Sequence, residues 1–343
     1  MQIQDYINKK DSLRQLPDEE FEIILEPLAF SLEKYSFDTF VNKYLTHNHE
    51  TMLKDWKSLQ KWKTNNITNI SATSTTGMKI IKTLMPHFYH VQNYKGVSVS
   101  SLWCKENIKK ALGFNRKYHS TPYASELVRS LSFTNGLGKI TMYRPVMAKL
   151  VANHFNAKSV LDVCSGWGGR MIGCCSLDDV KYTGFEPCVE TYDGLCKIKD
   201  LLNLKNATLV NKPAEEALLS FKDDSMFDIG LTSPPYYNLE VYSNEDTQSL
   251  SRYSTYEDWV EKFLSPLIKG VMKHVRFSCW SVKNFKTNKK YNLFDDVVRI
   301  HEENGWAQLK DVVFTMKNSK RPGNVKNEIK TSEESTYIFV KKC

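Results

Sequence analysis

Two stretches decide the fold of this chain: KSVLDVCSGWGGRMIGCC at residues 158–175 and FDIGLTSPPYYNLEVY at residues 227–242. The first reads as a buried strand that enters a glycine-rich turn and then a helix. The second reads as another buried strand, and it ends in the loop S-P-P-Y at residues 233–236. Buried strands that alternate with helices predict an α/β fold with a doubly wound, mostly parallel sheet.

The rest of residues 140–343 continues this pattern. The strand candidates are SVLDV, YTGFE, ATLVN, FDIGLTS, FSCWSV, LKDVVFTM and TYIFVKK. The helix candidates lie at 168–176, 188–202, 213–220, 255–274 and 293–304. Because the last two strands have no helical pattern between them, we expect an antiparallel hairpin that closes a Rossmann-like sheet.

The N-terminal part of the chain reads differently. Residues 1–95 carry apolar residues at three- and four-residue spacing, which predicts a helical accessory region, with a loop over 64–77. Residues 96–139 are predicted to form a helical, basic, substrate-binding segment. Its basic and aromatic residues suit phosphate contact and base stacking, although a solvated helical face is an equally good interpretation; they are Arg116, Lys117, Tyr118, His119 and Arg129.

Composition narrows the class of protein. The 343 residues carry a formal net charge of +8, which suits a polyanionic partner without requiring one. We expect no membrane span, because no apolar run reaches about 18–20 residues, and the polar N-terminus does not resemble a signal peptide. Eight cysteines without a C-x-x-C pair argue against a zinc site and against a disulfide scaffold. These features predict a cytoplasmic protein, and the abundance of Lys, Asn and Ile is typical of a bacterial, phage or viral source.

The turn after the first strand is a candidate cofactor cradle. Gly166, Gly168 and Gly169 permit a tight turn and a close approach of the backbone to a ligand. Their spacing is not the G-x-G-x-x-G of dinucleotide enzymes, so phosphate binding is poorly supported. Asp162 can bond an amino group or position the loop. Glu186 ends the next strand, where an acid can bridge two ribose hydroxyls.

The turn, the downstream acid and the S-P-P-Y loop, in this order, resemble S-adenosylmethionine-dependent amino-methyltransferases of nucleic acids, with their [DNS]-P-P-[YFW] loop. The resemblance covers roughly residues 140–340 and implies S-adenosylmethionine as the cofactor. It implies contacts to the cofactor from the turn, from the strand-ending acid and from two flanking segments. The residues that match are Asp162, Ser165, Gly166, Gly168, Gly169, Glu186, Glu215, Tyr143 and Pro145.

The S-P-P-Y loop has a plausible role in such a reaction. An exocyclic amine is a poor nucleophile, because its lone pair is delocalised into the ring. Hydrogen-bond acceptors that face its two hydrogens stabilise the positive charge that develops on the nitrogen in the transition state. Ser233 Oγ and the Pro234 carbonyl can be these acceptors, Pro235 stiffens the loop, and Tyr236 can stack on a flipped base. The alternative is a Pro-Pro turn whose tyrosines, with Tyr237, belong to the core.

The resemblance leaves the substrate open. Ser at the first loop position resembles the cytosine-N4 enzymes, and Asp or Asn is commoner among the adenine-N6 enzymes. The cradle precedes the loop here, whereas many S-P-P-[YFW] enzymes have the reverse order. We therefore expect DNA amino-methylation, as in restriction-modification, with cytosine N4 ahead of adenine N6. An RNA base methyltransferase and a catalytically silent nucleic-acid-binding subunit are the alternatives.

Further candidates lie on and near that loop. Asn238, Glu240 and Tyr242 follow it and are predicted to contact the base edge or to shape its pocket. Basic residues after the strand FSCWSV and in residues 316–330 are predicted to contact phosphates, with solvated hairpin tips as the alternative. They include Lys283, Lys286, Lys320 and Arg321.

Overall fold

The computed structural model describes residues 16–64, 70–72, 74–117, 124–137, 140–221, 226–317 and 333–342. Its α-helices are α1 Asp18–Glu33, α2 Phe37–Tyr44, α3 His49–Lys61, α4 Met78–Leu84, α5 Lys105–Lys117, α6 Ala124–Thr134, α7 Pro145–His154, α8 Gly169–Cys175, α9 Val189–Leu201, α10 Ala214–Ala217, α11 Ser249–Arg252, α12 Tyr256–Trp259, α13 Ser265–His274 and α14 Leu293–Glu303. Its strands are β1 Ile70–Ala72, β2 Gln92–Asn93, β3 Ser159–Asp162, β4 Lys181–Phe185, β5 Ala207–Val210, β6 Phe227–Thr232, β7 Glu240–Val241, β8 Val275–Val282, β9 Phe285–Lys286, β10 Lys290–Tyr291, β11 Trp306–Gln308, β12 Phe314–Lys317 and β13 Glu333–Lys341. None of the helices described is long and apolar enough to cross a membrane.

The chain divides into two compact units, and the smaller one is helical. Its described residues come from Met1–His47 and Pro86–Thr141 and include α1, α2, α5 and α6. The apolar residues recur at helical spacing and face inward, so that Leu28, Leu32, Phe40, Ile108 and Leu131 are fully buried. This unit contains the basic segment that the sequence predicts between residues 96 and 139.

The larger unit contains the sheet and is formed by the described residues of Asn48–Met85, Met142–Lys320 and Lys330–Cys343. The central strands run in the order β13-β8-β6-β3-β4-β5, with β8, β6, β3, β4 and β5 parallel. Successive residues such as Val160 and Leu161 are both fully buried, because helices cover both faces of the sheet. The predicted doubly wound, mostly parallel α/β sheet is confirmed.

The closing hairpin also agrees with the sequence. Strand β13 is antiparallel to β8 and to β12, and the short strand β11 pairs with its C-terminal half. Among the described residues, six short strands were not predicted from the sequence, namely β1, β2, β7, β9, β10 and β11. Strand β1 lies in the polar run predicted as a loop, and it pairs in parallel with β12 at the edge of the sheet. These strands have two or three residues each, which is too short for a strand periodicity to show in the sequence.

Residues 48–85 belong to the same unit as the sheet, although the sequence predicts them to be part of a helical accessory region over 1–95. In α7 the ammonium group of Lys149 is buried and donates to the carbonyl oxygens of Leu59 and Gln60 at 2.7 and 2.8 Å. These carbonyls are at the C-terminal end of α3, where helices leave carbonyls unpaired and favour cations. Lys149 thereby links the C-terminal end of α3 to α7, the helix that precedes β3.

The predicted helix 255–274 is broken into three parts. Helix α12 runs into a π-helical turn at Val260–Leu264, and α13 follows from Ser265. Pro266 lacks a backbone N–H and cannot continue an α-helical ladder, which accounts for a local rearrangement just before it. The other predicted helices of this unit agree with the structure to within one residue, except that α10 covers only Ala214–Ala217 of 213–220.

Candidate active site

The sheet reverses its direction of winding between β3 and β6. From β3 the chain proceeds outward through β4 and β5, and it then returns to β6 on the other side of β3. In open α/β sheets, ligands bind at such a switch point, outside the carboxyl ends of the strands. The glycine-rich turn follows β3, Glu186 follows β4 and the S-P-P-Y loop follows β6, so these three predicted features lie at one edge of the sheet.

A buried carboxylate connects the ends of these strands. Asp162 is fully buried, and its oxygens accept hydrogen bonds from the Arg170 guanidinium at 2.7 Å and from the Tyr182 hydroxyl at 2.7 Å. They also accept from the backbone N–H of Cys164 at 3.2 Å and from the Thr232 hydroxyl at 3.1 Å. Since donors from the glycine-rich turn, α8, β4 and β6 all converge on it, Asp162 positions the loops and keeps no oxygen free for a ligand.

The glycine turn is shaped by steric requirements. Gly168 has φ +82° at the start of α8, a conformation that residues with a Cβ rarely adopt. At Gly169 a Cβ would lie 1.9 Å from the carbonyl oxygen of Tyr143, so only glycine permits this close contact. Ser165 is buried beneath the turn, with its Oγ 3.1 Å from the Tyr182 hydroxyl. The structure therefore brings the predicted turn residues together around one compact loop.

Glu186 extends from the end of β4 toward this turn. Its carboxylate accepts hydrogen bonds from the backbone N–H groups of Gly166 at 2.9 Å and Cys188 at 3.0 Å. Burial raises the pKa of Glu186 to about 7, and the two backbone donors oppose that shift. Each oxygen accepts one protein hydrogen bond, so the carboxylate keeps lone pairs for hydroxyl donors.

The other predicted cofactor residues are engaged within the protein. Glu215, in α10, is buried and forms an ion pair with Arg252 at 2.7 Å. The hydroxyl of Tyr143 lies 3.2 Å from that of Thr336, and its ring packs against the Arg170 guanidinium. Pro145 is buried at the start of α7. The structure shows contacts of these three residues within the protein, and their direct contact with a cofactor stays a prediction.

The S-P-P-Y loop follows β6 directly. Ser233 is half-buried, and its hydroxyl donates to Glu334 Oε1 at 3.4 Å. Tyr236 is 7% exposed, and its ring packs edge-on against Phe285. The next residue, Tyr237, has φ +44°, an uncommon conformation that its hydroxyl helps to hold by donating to the carbonyl of Ser254. The rings of Tyr236 and Tyr237 both belong to the hydrophobic core, as the alternative interpretation of the sequence proposed, so the Tyr236 ring is packed within the protein and is not exposed for stacking on a base.

Two carboxyl groups lie beside this loop, those of the buried Glu334 and of the half-buried Glu240. Burial raises the pKa of Glu240 to about 7, and the negative charge of Glu334 adds to the shift. Burial also raises the pKa of Glu334, opposed by Lys283, Arg170 and the Ser233 hydroxyl. The hydroxyl of Tyr242 donates to Glu240. Lys283 follows β8 and is a predicted phosphate contact that the structure places beside these acids.

The structure describes four of the remaining predicted nucleic-acid contacts. Within the helical unit, Arg116 pairs with Asp18 at 2.9 Å, and Arg129 pairs with Glu126 at 3.0 Å. Lys117 is exposed at the end of α5. Lys286 is exposed on β9 and lies directly opposite Lys290 on β10, an arrangement that an anion would stabilise. The predicted contacts Tyr118, Lys320 and Arg321, and also His119, lie outside the described residues.

Sequence reasoning missed Arg170, Tyr182, Thr232 and Glu334. The first three bond Asp162, and nothing in their own sequence neighbourhood marks them as its partners. Glu334 did leave a signal, because strand β13 alternates between buried and more exposed positions from Glu334 to Ile338, and Glu334 is the charged residue on the buried side. An acid at an inward position of a strand is unusual unless it has a partner or a function.

Comparisons with known proteins add little to this geometry. No protein-family model and no curated protein sequence matches the chain. Among solved structures, a ribosomal protein L11 methylase from Lactobacillus delbrueckii subsp. bulgaricus is 14% identical, with a TM-score of 0.37, over 61% of this chain and 83% of that one. An S-adenosylmethionine-dependent methyltransferase from Clostridium acetobutylicum is 11% identical, with a TM-score of 0.37, over 59% and 93% of the two chains. TrmN from Thermus thermophilus is 11% identical, with a TM-score of 0.39, over 57% and 48%. Likenesses this distant do not bear on function.

Proposed function

We propose that this protein transfers a methyl group from S-adenosylmethionine to an exocyclic amine of a nucleic-acid base. The observation that carries the proposal is the convergence on Asp162. This carboxylate accepts hydrogen bonds from Cys164 in the turn, from Tyr182 in β4 and from Thr232, which ends β6 just before the S-P-P-Y loop. A binding turn and an amine-directed loop are therefore fixed to one another at the position where open α/β sheets bind ligands.

The residues at the turn fit the cofactor. A Cβ built on Gly166 would meet only the carbonyl oxygen of Cys164, at 3.8 Å, so the outer side of the turn is open to a ligand. Glu186 is fixed on the same loop, and its remaining lone pairs suit a ribose diol. When bound there, S-adenosylmethionine supplies an electrophilic methyl group. The turn would hold its methionine part, and Glu186 would hold its ribose.

The protein's own contribution at the other end is to bind and orient the amine. The Pro234 carbonyl and Ser233 Oγ offer acceptors for the two amine hydrogens, and the consecutive prolines hold the loop rigid. Orientation matters because methyl transfer needs the amine nitrogen in line with the carbon–sulfur bond that breaks. A rigid loop next to a rigid turn meets that requirement.

For the substrate, we propose DNA, with cytosine N4 ahead of adenine N6. The serine at the first loop position supports cytosine N4, and the positive net charge and the facing lysines of the β9–β10 hairpin support a nucleic acid as the partner. RNA is the alternative polymer. A silent subunit is less well supported, because the buried polar network and the S-P-P-Y hydroxyl groups are both intact in this chain.

The first test is binding of the cofactor. S-adenosylmethionine at about 100 times its Kd should raise the free energy of unfolding by about 2.7 kcal/mol in a denaturation experiment. Glu186→Ala should weaken that stabilisation, while Glu190→Ala, which alters an acid in the first turn of α9, serves as the control. If wild-type protein binds neither S-adenosylmethionine nor S-adenosylhomocysteine, the proposed function is wrong.

A further inference from the structure

The carboxyl groups beside the S-P-P-Y loop form a defined arrangement, which we call the acidic cluster. It comprises Glu240 on β7 and Glu334 on β13, together with Ser233, Tyr236, Tyr242 and Lys283. Glu334 is 9% exposed, and its Oε1 lies 3.4 Å from Ser233 Oγ. Lys283 is the cation near both acids, and Arg170 adds a second positive charge near Glu334. The cluster thus includes two residues of the S-P-P-Y loop, Ser233 and Tyr236, and lies beside the groups that the proposed reaction uses.

A second observation points to a ligand at this place. The hydroxyl of Tyr236 is buried and forms no hydrogen bond with the residues that the structure describes. The backbone of Lys283 lies near this hydroxyl but does not meet the geometry of a hydrogen bond. The negative charges of Glu334 and Glu240 add to the effect of burial in raising the pKa of Tyr236. A buried hydroxyl without a partner costs about 1–3 kcal/mol, so its retention beside two acids indicates a site for a polar group from outside the chain.

We propose that Glu334 is a catalytic residue that accepts the proton lost by the substrate amine. This inference rests on the proposed methyl transfer. Glu334 Oε1 lies 3.4 Å from Ser233 Oγ, so the carboxylate is next to the hydroxyl that would contact the amine. Glu334 can therefore receive an amine hydrogen either directly or through Ser233, while the hydroxyl of Tyr236 acquires the substrate as its missing partner.

The proposed step balances. The lone pair of the amine nitrogen forms a bond to the methyl carbon as the carbon–sulfur bond breaks, and the sulfonium sulfur keeps that electron pair as a neutral thioether. The nitrogen gains a positive charge and loses a proton to ionised Glu334, which becomes a carboxylic acid. Return of this proton to solvent restores the carboxylate for the next turnover.

The same cluster selects the substrate. Carboxylate oxygens accept hydrogen bonds, so ionised Glu334 and Glu240 favour an exocyclic amino group. An exocyclic carbonyl oxygen in the same place has no hydrogen to donate to these acceptors, which disfavours a keto base there. The cluster thus predicts a preference for amino-bearing bases over uracil and hypoxanthine at this position.

The test compares Glu334→Gln with wild type, with Glu333→Gln on the exposed side of the same strand as the matched control. Methyl transfer to unmodified DNA and RNA is measured as a function of pH. We expect Glu334→Gln to lower kcat about 100-fold, to leave the Kd for S-adenosylhomocysteine unchanged and to lose the rise of kcat with pH that ionisation of Glu334 produces. Glu334→Asp should recover part of kcat, and Glu333→Gln should match wild type.

A readout without turnover checks the same residue. In an infrared pH titration, several carboxylic acid bands should persist above the ordinary glutamate pKa of about 4.3, because burial raises the pKa of Glu186, Glu240 and Glu334. The difference spectrum of wild type minus Glu334→Gln should contain one such band, and that of wild type minus Glu333→Gln should contain none. If wild-type protein transfers methyl groups and Glu334→Gln matches it in kcat and pH profile, the role of Glu334 is wrong and the proposed function stands. If wild-type protein transfers no methyl group to DNA or RNA, both proposals fail.

Discussion

The two polar regions at the carboxyl edge of the sheet differ in how fully they are hydrogen-bonded. Around Asp162, four donors meet one carboxylate, and that carboxylate is fully buried. Around Ser233, the carboxyl groups of Glu240 and Glu334 have raised pKa values, and the Tyr236 hydroxyl forms no hydrogen bond with the described residues. Both regions cost free energy to desolvate. The first recovers more of it, because four donors meet the Asp162 carboxylate, whereas Glu334 accepts from Ser233 alone and Glu240 from Tyr242 alone among the described residues.

This difference separates a scaffold from a site. A saturated network rigidifies the loops that it joins, and it resists change because each group depends on the others. A buried polar group that lacks hydrogen-bond partners lowers the stability of the folded protein, and the presence of such a group is typical of a functional residue. Asp162, which the sequence resemblance places in contact with the cofactor, therefore acts as the support, while Ser233, Tyr236 and Glu334 are the groups that remain available to a substrate.

The largest expected effect comes from breaking the saturated network. Asp162→Ala leaves the Arg170 guanidinium buried without its carboxylate, and loss of one partner of a buried pair costs about 3–5 kcal/mol. Urea denaturation should show that loss in the free energy of unfolding. Asp193→Ala, an exposed acid in α9, is the control and should change it by no more than about 0.5 kcal/mol. A similar small change for Asp162→Ala would mean that the network is not a scaffold.

The next effect concerns the S-P-P-Y loop. Ser233→Ala removes an acceptor for the amine, and we expect kcat to fall about 100-fold, the usual cost of one transition-state hydrogen bond. The Kd for S-adenosylhomocysteine should not change, because Ser233 is not part of the cofactor turn. Calorimetry and labelled methyl transfer together measure both quantities. Wild-type turnover in Ser233→Ala would contradict the assignment of the loop.

Two tyrosines test the comparison directly. Tyr182→Phe removes a hydroxyl that bonds Asp162 and should destabilise the protein by about 1–3 kcal/mol. Tyr236→Phe removes the hydroxyl without a partner, and we expect it to stabilise the protein by about 1 kcal/mol while it lowers methyl transfer. Thermal and urea denaturation give the signs. Equal destabilisation by both substitutions would show that the two regions do not differ as described.

The smallest expected effect is a pH dependence of cofactor binding. The pKa of Glu186 is raised to about 7 in the folded protein, so this residue favours folding below its unfolded pKa and loses that contribution as the pH rises through about 7. A ribose diol needs the ionised carboxylate. Affinity for S-adenosylhomocysteine should therefore fall about tenfold from about pH 8 to about pH 6.

The control for this titration is Glu186→Gln, which cannot ionise. Its affinity should be lower than that of wild type and should not share the dependence on Glu186 ionisation. Subtracting its profile from that of wild type also removes any titration of the ligand itself. Identical profiles for the two proteins would place the ribose elsewhere.

The sequence predicted the local features of this site well. Apolar strands, the glycines that the turn requires and the acid at the end of β4 are properties of short segments, and each is where it was expected. The contacts that give these features their roles join residues far apart in the chain: Thr232 meets Asp162, and Glu334 meets Ser233 from the closing hairpin. No local pattern encodes such pairs, so the direct role assigned to Asp162 could not be distinguished from a supporting one.

The assignment of Arg116 and Arg129 illustrates the same limit. Their composition fits phosphate contact, yet each guanidinium pairs with an acid, Asp18 and Glu126 respectively. The partner of Arg116 lies 98 residues away in the sequence. A charged cluster in a sequence therefore does not reveal whether its charges are already paired within the protein.

The most direct test of the account is to incubate the protein with labelled S-adenosylmethionine and unmodified DNA or RNA in separate reactions, followed by nucleoside mass spectrometry. We predict labelled N4-methylcytosine from DNA, with N6-methyladenine as the next expected product. Label found only in RNA would move the substrate to that polymer and preserve the chemistry. Absence of any labelled amino-methylated base, from protein that binds the cofactor, would contradict the proposed methyl transfer to an exocyclic amine.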